Sequence, residues 1–125
     1  MNNPFRYPAL LQKQKEGGYL VTFVDLPEAI TQGNTLEEAL FEAVDCLEEA
    51  IANRIDMKLP IPTPSTPHKK HYLISLPTTF AAKTALYLTM QEKKLSNTSL
   101  ARKLHCDEKE IRRLLDPHYH SKLPR

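Results

Sequence analysis

GGYLVTFVDLPEAITQGNTLEEAL, residues 17–40, decides how the rest of the chain is read. Gly17-Gly18 supplies the flexible turn of a hairpin. Residues 19–24 alternate as a strand, with Tyr19, Val21 and Phe23 on one face and Leu20, Thr22 and Val24 on the other. Both faces are largely apolar, so this strand is expected in the middle of a sheet. Asp25-Leu26-Pro27 is a turn, residues 29–32 form a short third strand, and Gly33-Asn34 ends it. Thr35 and Glu38 then fit a capping box, in which each side chain satisfies a backbone N–H at a helix start. The expected unit is a sheet with one helix laid upon it.

Outward from that stretch, residues 5–11 make a β-rich run containing Pro8. A proline cannot donate to a ladder, so this strand is expected at an edge or with that position exposed. Downstream, Leu36, Ala39, Leu40, Ala43, Val44, Leu47, Ala50, Ile51 and Ile55 recur at helical spacing, so the helix runs to about residue 55. Its other face carries Glu37, Glu38, Glu42, Asp45, Glu48 and Glu49, with Phe41 among them. Most such faces are simply solvated; an exposed aromatic amid carboxylates also suits docking to a basic partner. Residues 59–67, LPIPTPSTP, are an extended proline-rich link. Residues 71–76 read as a further strand, which returns to the first sheet and puts the domain boundary near Pro77.

The charge layout separates two modules. Residues 1–60 hold five Lys/Arg and ten Asp/Glu, whereas residues 61–125 hold twelve and five. An acidic module followed by a basic one suggests two partners of opposite charge. After Pro77, Thr78 or Thr79 is expected to cap a helix over residues 80–93, with Ala82, Leu86 and Met90 on one face and Ala85 and Leu88 beside it. Ser96-Asn97-Thr98 caps a short helix to residue 104, a turn falls at His105-Cys106-Asp107, and a last helix over residues 108–115 stops before Pro117. Two short helices about a tight turn suggest helix-turn-helix, with Leu100, Ala101, Leu104, Cys106, Ile111, Leu114 and Leu115 as core. The second helix would then read DNA through Glu108, Lys109, Arg112 and Arg113, and Arg102 and Lys103 would grip phosphates.

Several function classes find no support. No apolar run approaches the ~20 residues needed to span a bilayer, and the N-terminus lacks the pattern of a signal peptide, so the expected location is cytoplasmic. Cys46 and Cys106 are read as free thiols, Cys46 as a small core residue. Five histidines, including His118 and His120, and two cysteines lack the spacing of a metal site. There is no nucleophile elbow, Gly-rich phosphate loop or catalytic cysteine signature, and the carboxylates lie along an open helix face. The chain is expected to be no enzyme and to need no cofactor.

GGYLVTFVDLPEAITQGNTLEEAL closely resembles the core motif of the HicB family of bacterial antitoxins, and LARKLHCDEKEIRRLLDPHYHSKL is similar to the C-terminal helix-turn-helix of one branch of it. The likeness covers residues 5–120. It implies an α+β chain: a partial ribonuclease H-like sheet-plus-helix domain over residues 1–76, without catalytic carboxylates, then a small all-α helix-turn-helix domain over residues 77–125 that also dimerises. It implies binding and masking of a small basic HicA-type toxin that cleaves mRNA, repression of the toxin–antitoxin operon, and homodimers that can assemble further. Tyr19, Asp25, Glu28, Phe41, Asp45 and Glu48 are the residues expected to meet the toxin. The family usually continues into another helix beyond the point that matches Leu123-Pro124-Arg125, which bears on dimer stability and DNA affinity. The competing class is a transcriptional repressor whose first module senses a small ligand; another is an interaction protein that binds no DNA.

Overall fold

The computed structural model describes residues 4–94, 96–103 and 107–116. It is an α+β chain with one antiparallel sheet and four helices among the described residues. Strands β1 (Arg6–Lys13), β2 (Tyr19–Phe23) and β3 (Ile30–Gly33) form a meander, and β4 (Tyr72–Ser75) joins the free edge of β1, giving the order β3-β2-β1-β4. The helices are α1 (Leu36–Asp56), α2 (Thr78–Lys93), α3 (Asn97–Lys103) and α4 (Glu108–Leu115).

The hairpin turn closes with Gly17 and Gly18 at φ +99° and +80°, a region L side chains rarely enter. Ala9 pairs with Phe23, Leu11 with Val21, and Tyr7 with Ile74, so one face of the sheet gathers Tyr7, Ala9, Val21, Phe23 and Ile74. All five are buried together with Ala39, Ala43, Leu47, Ala50 and Ile51 of α1. Each large side chain buried there contributes about 1.5–3 kcal/mol. The Thr35 hydroxyl caps α1 by accepting from the Glu38 N–H at 3.1 Å, as the capping box predicts.

Two strand expectations need correction. β1 is not an edge strand: it lies between β2 and β4, and Pro8 is fully buried. The Pro8 carbonyl accepts from the Val24 N–H at 3.2 Å, one residue beyond the end of β2. In an antiparallel ladder a residue's nitrogen and carbonyl face the same neighbour. The missing N–H therefore falls at the last rung toward β2, and the pairing with β4 loses nothing. β2 is interior as expected, but its second apolar face is not covered: Leu20 and Thr22 are half-buried and Val24 is exposed.

α2 departs from its expected pattern. Pro77 takes the N-cap position with no side-chain cap, and Thr78 and Thr79 lie within the helix. Ala82 and Ala85 are exposed, while Phe80, Ala81, Lys83 and Thr84 are buried. The helix serves two neighbours, so no single stripe describes it. Phe80 and Ala81 join the core of the sheet module, and Leu86 and Met90 pack with Ala101 of α3 and Ile111 of α4 in a second, smaller cluster. Thr84 returns its hydroxyl to the Phe80 carbonyl at 3.0 Å. Lys83, only 4% exposed, donates from Nζ to the Asp116 carbonyl at 3.1 Å and so ties α2 to the end of α4.

α4 has its expected span, whereas α3 begins two residues earlier than expected, with Asn97 and Thr98 inside the helix rather than capping it. Ser96 Oγ accepts from the Ser99 N–H at 3.0 Å, and Asp107 caps α4 by accepting from the Lys109 N–H at 3.0 Å. Leu104, His105, Cys106, Pro117, His118 and His120 lie outside the described residues, as do the side chains of Leu100, Leu114 and Leu115.

Candidate functional site

The side of α1 nearest β3 is lined with small residues: Ala39, Ala43, Cys46 and Ala50. They let the helix approach the edge strand closely. At Gly33 the approach is so tight that an added Cβ would stand 2.4 Å from the backbone nitrogen of Ala39. Farther along, helix and strand part to leave an open groove of about 540 Å³. Ala29, Cys46 and Ala50 line it, Ile30 and Thr31 border it on the strand side, and Glu42, Asp45, Glu49 and Asn53 border it on the helix side. Glu28 lines it as well, so four carboxylates face one trough.

Glu28 is held by Arg54, whose Nε and Nη2 donate to its two oxygens at 2.6 and 3.0 Å. This bidentate bond keeps the Glu28 carboxyl below the usual carboxylate range, and it raises Arg54. Burial and the Glu28 charge push the Cys46 thiol up, so it stays protonated and is a poor nucleophile at neutral pH. Among the described residues no group of three His, Cys, Asp or Glu side chains stands close enough to hold a metal ion. The trough presents spread negative charge, suited to a cationic surface rather than to one ion.

The six residues expected to meet a toxin divide among four places. Asp45 and Glu28 share the groove. Phe41, 68% exposed, and Glu48 lie on the other flank of the outward helix face. Tyr19 is half-buried on the helix-facing side of the sheet, paired with Gly33. Asp25 is engaged by the proline-rich link: its carboxylate accepts from the Ser65 N–H at 2.9 Å and from the Ser65 hydroxyl. The link is also fixed by the Tyr7 hydroxyl, which donates to the Pro62 carbonyl at 2.7 Å, and by Arg54 Nη1, which donates to the Pro60 carbonyl at 2.9 Å. Burial first, and the nearby Asp25 charge second, push the Tyr7 phenol up to about 12.

Glu42 and Glu49 were readable as part of the acidic face but not as partners of Asp45. Their i, i+3, i+7 spacing is the signal that puts 42, 45 and 49 on one line. Arg54 carried a weaker signal, a lone cation ending an acidic helix, and Lys83 a weaker one still, a lysine inside TFAAKTAL.

A second surface lies on α3 and α4. Ile111 is buried, and Lys109, Arg112 and Arg113 are exposed on the side of α4 away from it. Arg102 of α3 is exposed as well. The side chains of Lys103 and Glu108 lie outside the described residues. Lys83 anchors the C-terminal end of α4, where a cation also favours the helix dipole. Burial lowers the Lys83 pKa, and the neighbouring Asp116 partly offsets this. Among the described residues no helix is long and apolar enough to cross a membrane.

A family model described as "HicB_like antitoxin of bacterial toxin-antitoxin system" matches residues 6–85. The protein named Antitoxin HicB of Escherichia coli strain K12 is 36% identical over 118 residues, covering 94% of this chain and 86% of that protein. Antitoxin HicB 2 of Photorhabdus laumondii subsp. laumondii is 38% identical over 123 residues, covering 98% and 86%. Antitoxin HicB of Pseudomonas fluorescens strain Pf0-1 is 34% identical over 120 residues, covering 95% and 82%.

Proposed function

The chain belongs to the HicB-like family of bacterial toxin–antitoxin antitoxins, and we propose that it binds and masks a small, basic, mRNA-cleaving toxin of the HicA type while repressing its own operon. The observation that carries the masking role is the groove, where Glu28, Glu42, Asp45 and Glu49 line one trough beside the edge strand β3. Complementary charge speeds association and fixes orientation, and an apolar anchor adds residence time. Phe41 is that anchor, beside Glu48. Asp45 and Glu28 contact the toxin directly, joined by Glu42 and Glu49. Asp25 and Tyr19 complete the surface at the turn and hairpin end. The protein is not an enzyme, and it acts in the cytoplasm.

The sheet and α1, over residues 1–76, form the toxin-binding domain, a partial ribonuclease H-like unit without catalytic carboxylates. Residues 77–125 form the helix-turn-helix domain, in which α4 enters the major groove. Lys109, Arg112 and Arg113 contact bases or phosphates, Glu108 accepts from a cytosine, and Arg102 and Lys103 grip phosphates. Homodimers that can assemble further would place two such helices about 34 Å apart, matching an inverted repeat.

Co-expression with the neighbouring open reading frame tests the reading. A growth-arresting basic product, relieved by this chain and not by a Glu42→Lys/Glu49→Lys variant of it, is the expected result. A neighbour with no effect on growth would turn the reading toward a ligand-sensing repressor.

A further inference from the structure

The proline-rich link has few ways to be held. Its polyproline stretch makes no internal hydrogen bonds, and Pro60, Pro62, Pro64 and Pro67 lack a backbone donor. Its place therefore depends on side chains of the first module. Leu59, at its start, donates its N–H to the Arg54 carbonyl at 2.8 Å, and three side-chain tethers hold the rest: Asp25 on Ser65, Tyr7 on the Pro62 carbonyl, and Arg54 on the Pro60 carbonyl. Ile61, Pro62 and Pro64 are half-buried beneath them. The link leads directly to β4, which pairs with β1, and then to α2.

Arg54 is the junction. One guanidinium donates from Nη1 to the link and from Nε and Nη2 to Glu28, a wall residue of the acidic groove. Glu28 is about half exposed, with 46% of its side chain accessible, whereas Arg54 is 20% accessible. A cation entering the groove can reach Glu28 without first displacing the link. It would draw on the carboxylate that fixes Arg54 and would repel the guanidinium itself.

We infer that residues 59–67 are a strap whose hold depends on Glu28, and that a cationic partner seated in the groove loosens it. This rests on the reading of the groove as the basic partner's site. Occupancy of the groove is thereby transmitted to the segment that joins the sheet to the C-terminal helices.

The Ser65 amide, which donates to Asp25, is a reporter of the strap in the full-length protein. Its hydrogen exchange by NMR is expected to quicken about two- to fivefold in Glu28→Ala, the range for losing one partly exposed ion pair. Arg54→Lys, which keeps the charge but loses the fork, should act in the same direction. A ten-residue lysine peptide should quicken Ser65 exchange in the wild type and add nothing in Glu28→Ala. Unchanged Ser65 exchange in both variants overturns the inference. Peptide-induced shifts at the Glu42, Asp45 and Glu49 amides with unchanged Ser65 exchange overturn it also, while the groove reading stands. If the peptide shifts none of those amides, both fall together.

Discussion

Replacing Gly33 by alanine tests how the groove is built. The added Cβ would lie 2.4 Å from Ala39 N, 2.6 Å from Ala39 Cα and 2.8 Å from the Glu38 carbonyl carbon. Ordinary contact begins near 3.4 Å, so strand and helix must part by about 1 Å. All three obstacles are backbone atoms in the first turn of α1, so no side-chain rotation relieves them. Overpacking costs about 1–3 kcal/mol, and a backbone obstacle puts the cost near the upper end, about 3 kcal/mol. For a chain of this size that lowers the melting temperature by roughly 10 °C. Gly17→Ala is the control, since nothing lies within 4 Å of its Cβ and only the positive φ is strained. Its cost should be about 1 kcal/mol. Melts followed by far-ultraviolet circular dichroism should rank wild type above Gly17→Ala above Gly33→Ala. A Gly33→Ala protein that melts within about 2 °C of wild type would refute the close approach of β3 to α1.

Other parts of the structure make separate demands. Tyr7 titrates near 12 when folded against 10 when unfolded, so its stabilisation is complete below pH 10 and is lost as pH rises from 10 toward 12. The loss should approach roughly 2–3 kcal/mol, and denaturant titrations of Tyr7→Phe should lack that dependence. Lys83 has the opposite sign: its folded pKa lies below 10.5, so its contribution rises with pH through the window between the folded and unfolded values. Lys83→Ala loses both the buried stem and the bond to Asp116, at a cost of about 1–3 kcal/mol, and Lys83→Met should recover the part due to the stem. Equal stability of all three proteins in urea would contradict a structural role for Lys83. On promoter DNA, Arg102→Ala should weaken binding to all sequences and flatten the salt slope, whereas Arg112→Ala should cost about 1–3 kcal/mol at one position in each half-site. Gel shifts with equal affinity for promoter and random DNA at every salt concentration would remove the reading helix from the account.

Local signals in the sequence carried far. The Thr35–Glu38 box, the apolar recurrence through Ile51 and the alternation of Tyr19, Val21 and Phe23 each marked an element that the structure contains, and residues 71–76 were rightly returned to the first sheet. Misreadings arose where one element answers to two neighbours or where register matters. Pro8 looked like an edge residue because its nitrogen cannot donate; only the point at which β2 ends shows that the loss is harmless. α2 buries Phe80 toward one cluster and Met90 toward another, and the buried stem of Lys83 hides in a polar letter, so a single apolar stripe misplaced Ala82 and Ala85. The acidic face of α1 was legible as a face. Its division into a groove line at 42, 45 and 49 and a flank at 41 and 48 depends on where β3 lies, which no helical wheel contains. The engagement of Asp25 and Glu28 with Ser65 and Arg54 spans some forty and twenty-six residues, and no local pattern announces it.

The central claim is that the acidic groove receives the basic toxin. Its most direct test is the affinity of the product of the neighbouring open reading frame for wild type and for Glu42→Lys/Glu49→Lys, measured by titration calorimetry at two salt concentrations. Both side chains are surface groups on a helix whose core face is untouched, so the variant should melt as wild type does. Two reversed charges at a complementary interface should weaken binding about 100-fold and reduce its salt dependence. Undiminished affinity in a normally folded variant would contradict the account and place the toxin elsewhere on the chain.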